Sequence, residues 1–240
     1  MKKLLTLHRL CGTCMLSAAS LVGLSVEAST LTILNAGFES DTAPAVGATG
    51  WTITSGGTDW FTTTAGQPDS SNDPDAAAEG ANWLSGNRLA TGAGSSSNPQ
   101  VIEQLVDISA DAALVDSGAA RLSLSFMFSD SDPNDDGEIK ALFYSDIAGI
   151  SPLAGDLASG VLAPTAPDNT AMAPWDIRNL VGVVPTGARS VKIELVNTRA
   201  SGSAGNVHFD DFSGAIVPEP TAAMLIAFGA CLIAARATSR

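Results

Sequence analysis

The side chains that could do chemistry in this chain are nearly all carboxylates. Its 240 residues include 25 Asp+Glu against 12 Lys+Arg, a formal net charge of −13. Between residues 29 and 217 the balance is steeper, 23 acids against 7 bases. Two acid-rich runs stand out, Asp130-Ser131-Asp132-Pro133-Asn134-Asp135-Asp136-Gly137-Glu138 and Phe209-Asp210-Asp211-Phe212. Clustered carboxylates are the hard oxygen ligands that Ca2+ takes. Asp132-x-Asn134-x-Asp136-Gly137 matches the first half of an EF-hand loop. The twelfth position from Asp132 is Phe143, so the closing bidentate Glu is missing. The same run suits an Asp/Gly-rich hairpin turn between two strands, and that reading is preferred over a metal site at Asp132, Asn134 and Asp136. The neighbouring Asp210 and Asp211 repel each other unless a cation or N–H donors compensate.

Catalysis has little material. The cysteines are Cys11, Cys14 and Cys231, all in apolar end segments, and His208 is the one histidine in the acidic middle. A Cys–His pair and a His-based zinc site are excluded there by number. A Ser–His–Asp triad would have to use His208, and no G-x-S-x-G elbow is present. A glycosidase-type carboxylate pair stays open, but no pair stands out among so many acids. The expectation is a protein that is not an enzyme, with no catalytic residue assigned. Of the four tryptophans, Trp51 and Trp175 begin apparent strands and are expected in the core. Trp60 and Trp83 lie near polar loops and are the candidates for stacking on the apolar face of a sugar. The acidic surface repels nucleic acid and anionic lipid, which excludes nucleic-acid partners, and it keeps a secreted protein soluble.

The elements that must position these groups read as strands. In 121–128, Leu122, Leu124, Phe126 and Phe128 share one face, and Ser123, Ser125 and Met127 share the other. That period of two marks a half-buried strand. The same alternation runs through 190–197, 138–144 and 206–212, where Val207 and Phe209 are expected inward and His208 and Asp210 outward. Further strands are expected at 31–34, 51–54, 59–63, 81–85, 100–108 and 175–184. Residues 109–118 read as a loop or a single turn. About ten short strands separated by turn residues predict an all-β fold, a two-sheet jelly-roll-like β-sandwich. The long irregular stretches at 66–79, 91–99 and 155–170 are expected to be functional or mobile.

Asn35-Ala36-Gly37-Phe38-Glu39, Gly50-Trp51, Gln104-Leu105-Val106 and the closing Phe209-Asp210-Asp211-Phe212 resemble, in their order, the galactose-binding-like jelly rolls, carbohydrate-binding modules among them. The resemblance implies a structural Ca2+ joining the first and last strands, with Glu39 and one or both of Asp210 and Asp211 as its carboxylates.

Both ends of the chain are hydrophobic. Lys2, Lys3 and Arg9 precede an apolar stretch from Leu10 to Leu24, and Val26-Glu27-Ala28 places small residues at the −3 and −1 positions of a cut after Ala28. That is the layout of a secretory signal peptide. At the other end Val217-Pro218-Glu219-Pro220-Thr221 leads into an uncharged apolar run to Ala235, then Arg236 and Arg240. As a helix, 221–235 spans about 22 Å, short of a hydrocarbon core of about 30 Å. Flanking arginines can snorkel, and local thinning of the bilayer absorbs the difference. Basic residues after the span are expected on the cytoplasmic side. Val217, Pro218, Glu219 and Pro220, the short apolar helix and the basic end at Arg236 resemble the PEP-CTERM sorting signal. In this chain Arg236 and Arg240 are split by Ala237-Thr238-Ser239 rather than clustered. The resemblance implies processing by an exosortase-like enzyme.

The expected organisation is therefore a signal peptide at 1–28, a β-sandwich domain at 29–216 and a sorting tail with a transmembrane helix at 217–240. The expected role is a non-catalytic protein exported to the cell envelope and membrane-anchored before processing. It then sits at the cell surface or outside the cell, in contact with extracellular polysaccharide. A purely structural surface protein and a glycan-active hydrolase are the alternatives.

Overall fold

The computed structural model describes residues 28–56, 59–67, 73–87, 89, 98–131, 133–166, 172–202 and 205–219. The expected signal helix and membrane helix fall outside them. Among the described residues no helix is long and apolar enough to cross a membrane.

In chain order the strands are β1 Ser29–Thr30, β2 Ala45–Val46, β3 Thr52–Ser55, β4 Phe61–Thr64, β5 Asn82–Ser85, β6 Gln100–Asp107, β7 Ala120–Asp130, β8 Asp135–Tyr144, β9 Leu157–Ala158, β10 Asp176–Val183, β11 Ser190–Arg199 and β12 Val207–Pro218. One short helix, α1 at Ala112–Asp116, follows a 3-10 turn and seats Leu114 and Val115 in the core. Seven strands form one sheet in the order β10-β7-β12-β5-β4-β2, with β1 also on β12; five form the other, β3-β6-β11-β8-β9. The strand pairs are antiparallel. This is the two-sheet sandwich that the alternating pattern predicts.

The core lies between the sheets. β7 contributes Leu122, Leu124, Phe126 and Phe128, and β12 contributes Val207, Phe209, Phe212 and Ile216. Opposite them lie Ile139, Ala141 and Phe143 of β8 and Val191, Ile193 and Leu195 of β11. Each such large side chain contributes about 1.5–3 kcal/mol on burial. The sheets approach closely at Gly137, where an added Cβ would lie 2.5 Å from the Phe128 ring.

Three expectations change. Residues 31–34 are not a strand; the pairing is made by Ser29 and Thr30 opposite Ile216 and Ala215, and Leu31 N–H bonds Gly214 O at 2.8 Å. The acidic run at 130–138 is not a hairpin turn, because β7 and β8 belong to different sheets. It carries the chain from one sheet to the other. There Asn134 O accepts the N–H of Ala200 at 2.9 Å, and Asp136 stands opposite Thr198 of β11. Finally, β12 runs on through Val217 and Pro218, past the expected end of the domain at 216.

A β-bulge in β12 decides where the Phe209–Phe212 motif points. The register against β7 shifts between Asp210 and Ser213, and Asp211 takes φ +46. Strict alternation would send Phe212 outward. The inserted residue returns it to the core beside Phe209, with ring centroids 6.3 Å apart. A bulge re-aims side chains in this way. Asp210 and Asp211 consequently diverge, the first buried and the second exposed.

Candidate functional site

Residues 73–82 form a strap across the outer face of the seven-stranded sheet, tied down by side chains far away in sequence. His208, on the face of β12 opposite Phe209, places Nε2 at 2.7 Å from Asp73 Oδ1. Asn87 Nδ2 donates to the other oxygen of Asp73 at 2.6 Å. In the sheet His208 stands opposite Ser85 of β5 and Ser129 of β7, and all three are fully buried. His208 was expected outward, and it is; the strap then covers it. Its Nδ1 is buried without a hydrogen-bond partner.

Two residues along β12, Asp210 holds the middle of the strap. Its Oδ2 accepts the N–H groups of Ala78 and Glu79 at 2.9 and 3.1 Å, and its Oδ1 accepts that of Asp211 at 2.8 Å. Burial pushes the Asp210 carboxyl up to about 7 against the pull of these three donors, and the Asp211 charge adds to the rise. Glu39 holds the strap's far end, where its Oε1 accepts the N–H groups of Ala81 and Asn82 at 2.8 and 2.7 Å. Gly80 between the clamps has φ +68, and a Cβ there would lie 2.5 Å from the Glu39 carboxyl. Trp175 Nε1 bonds Ala76 O at 2.8 Å, and Asn82 Nδ2 reaches Asp41 O at 3.1 Å. Asp41 in turn accepts from Asn35 Nδ2 at 2.7 Å and from the N–H of Thr49 at 2.9 Å. Burial works to raise Asp41, but the bonds from Thr49, Asn35 and Thr62 outweigh it and hold the carboxyl below the usual range.

This arrangement does not fit the Ca2+ expected at Glu39, Asp210 and Asp211. The clamping oxygens of Glu39 and Asp210 face N–H hydrogens, whose partial positive charge a cation would meet head on. Asp211 points to solvent. Among the described residues no group of three or more His, Cys, Asp or Glu side chains is placed to hold a metal ion. As built, the two carboxylates fasten the strap to β12 and to the 35–41 turn.

The tryptophan expectation is corrected as well. Trp60 and Trp83 are fully buried and present no face to a sugar. Trp60 packs in the core with its ring 6.2 Å from Phe209, and Trp83 meets Trp175 edge to face at 6.4 Å under the strap. Trp51 is in the core as expected, whereas Trp175 is half-buried. Asn134 lies on the crossover between sheets, and Asp136 is in β8 opposite Thr198. Val217 and Pro218 are strand residues, and Glu219 pairs with Arg121 at 2.9 Å. Asp132, Pro220 and Arg236 lie outside the described residues.

A groove of about 370 Å³ opens elsewhere, beside the end of β6, lined by Thr32, Leu34, Leu105, Val106, Asp107, Ser109 and Ala110. Leu34 is held facing outward by its backbone. Gln104, buried next to it, accepts the Leu34 N–H at 2.7 Å and donates to the Leu34 carbonyl at 2.9 Å, which also takes Trp51 Nε1 at 3.2 Å. Leu34 and Leu105 are left 55% and 38% exposed. Asp107 stands at one end. Bonds from the Ser109 hydroxyl and N–H hold its carboxyl below the usual range, so it is ionised at neutral pH. Gly149 of the neighbouring loop abuts Leu105, since a Cβ there would sit 2.9 Å from it. That loop exposes Ile147 and Ile150. None of Leu34, Asp107 or Ser109 is marked out by sequence alone, because exposure of a leucine is not written in its neighbours.

No protein-family model matches the chain, and no curated protein is similar to it. Solved structures do resemble it. A Stig cyclase from Fischerella sp. TAU matches with a TM-score of 0.55 at 17% identity, over 80% of this chain and 100% of that one. A further structure of a cyclase from Fischerella sp. TAU matches with a TM-score of 0.50 at 16% identity, over 81% and 100%. At such identity the likeness is one of fold. TmCBM61, in complex with beta-1,4-galactotriose, is looser still, with a TM-score of 0.43 at 14% identity over 80% and 100%, a score that carries no weight.

Proposed function

We propose that this chain is an exported, non-catalytic protein of the bacterial cell envelope, sorted through its PEP-CTERM-like tail, whose sandwich binds neutral extracellular polysaccharide in the groove between Leu34 and Leu105. The groove is the observation that carries the reading. A pyranose ring offers a C–H face and a rim of hydroxyls. Two exposed leucines provide an apolar platform for the first, and the ionised Asp107 provides an acceptor for the second. The net charge of −13 opposes an anionic glycan and favours a neutral one.

The test is a glycan array with purified protein, followed by calorimetry on any neutral glycan retained. Saturable binding that falls about tenfold or more in Leu105→Asp and in Asp107→Ala is expected. Absence of saturable binding to every glycan would leave a purely structural surface protein. Release of reducing ends from the bound glycan would make it a hydrolase. Fractionation and intact mass in an exosortase-bearing host test the sorting part: a product lacking the tail and found outside the inner membrane supports it, and a full-length chain retained in the inner membrane removes it.

A further inference from the structure

The tail motif begins inside the folded sheet. Val217 stands opposite Arg121 and Pro218 opposite Ala120 in the β12–β7 pairing. Glu219 continues the ladder, donating its N–H to Ala119 O at 2.6 Å. Its carboxylate is held by Arg121 Nη1 at 2.9 Å, an ion pair whose side chains stay 32% and 45% exposed. On the other side of β12, Ser29 pairs with Ile216, so the first residues after the expected signal cut flank the same strand end.

Resting on the sorting reading above, we propose that the sandwich masks its own processing motif. Arg121 and the Ala119 carbonyl hold Val217–Glu219 as sheet, so an exosortase-like enzyme gains the motif only when the end of β12 peels from β7. The physical reason is competition for one set of groups. Enzymes that read extended segments pair with the segment's backbone and contact its side chains. Here the Glu219 N–H and carboxylate are already engaged. Pro218 has no N–H to offer. Processing then follows the population of the opened strand end, as cleavage does whenever opening and closing are fast. Because the ion pair is partly exposed, its removal shifts that population modestly, by about two- to fivefold.

Two measurements on the full-length chain test this, for wild type, Arg121→Ala and Arg121→Lys. In an exosortase-bearing host, the rate of tail loss is expected to rise about two- to fivefold in Arg121→Ala and to return toward wild type in Arg121→Lys. Equal or slower tail loss in Arg121→Ala overturns the masking, and slower loss would mean that the docked form is the one recognised. Hydrogen–deuterium exchange at the Glu219 amide reads the docking directly. Protection in wild type that weakens in Arg121→Ala supports it, and an unprotected amide in wild type overturns it. If wild type never loses its tail, the sorting reading has failed, and the exchange experiment still decides whether the segment is docked.

Discussion

His208 and Asp73, 135 positions apart in sequence, meet at 2.7 Å with both side chains buried. The contact fixes the start of the strap against β12. Asp210 and Glu39 fasten the middle and the end. One segment is thereby tied to the last strand and to the first turn, and the outer face of the larger sheet becomes a second, polar core.

Removing one partner of a buried polar pair deprives the other of a bond it cannot replace with water, which costs more than the pair contributes. His208→Ala is expected to destabilise the fold by about 2–4 kcal/mol in urea unfolding. His208→Gln, which keeps a donor toward Asp73, is expected to cost less. Equal losses in both variants would show that the volume of the ring, and not its bond, is what matters.

Asp210 makes stability depend on pH. Its carboxyl is raised from 3.8 to about 7 in the folded protein, chiefly by burial, so between these values the folded state binds a proton that the unfolded state does not. The resulting stability is fully present below about pH 4 and is lost as pH rises through about 7. The limiting slope is about 1.4 kcal/mol per pH unit. With a chelator present, wild type is expected to weaken from pH 5 to pH 7.5 relative to Asp210→Asn. Parallel pH profiles for the two proteins would refute this assignment.

Because Glu39 Oε1 and both oxygens of Asp210 accept backbone N–H groups, Ca2+ is expected to leave the thermal midpoint unchanged after full chelation and add-back. Glu39→Ala is expected to lower stability by about 1 kcal/mol, with or without calcium, through loss of two bonds at a solvent-exposed carboxylate. A midpoint that rises with Ca2+ in wild type and not in Glu39→Ala would restore the metal reading. Preferential binding to the folded state would be its cause.

Much of the sandwich was legible because strand periodicity is local. Leu122, Leu124, Phe126 and Phe128 announce their face through spacing alone, and β6, β7, β8, β10 and β11 lie within a few residues of the expected ranges. The candidate site was much less legible. Trp83 looked available because its neighbours are polar, but Trp175, more than 90 positions away, meets it edge to face and is bonded to the strap through Ala76. Asp73 carries no signal of its own in a stretch that reads as loop. The bulge at Asp211 could not be counted from alternation, and it separates two aspartates that adjacency suggested would act together.

The sequence by itself determined the class of fold, the absence of cysteine and the near-absence of histidine from the acidic middle, and the hydrophobic character of both ends. Those properties are compositional or have a period of a few residues, so they need no knowledge of which strand lies beside which. Only the tertiary structure decided that β7 and β8 part into different sheets, that Glu39 and Asp210 hold backbone, that Leu34 and Leu105 frame a groove, and that Glu219 docks on Arg121. Each of these depends on pairing between residues separated by tens of positions or more. Long-range register is set by the joint burial of all the strands, and no local pattern encodes it.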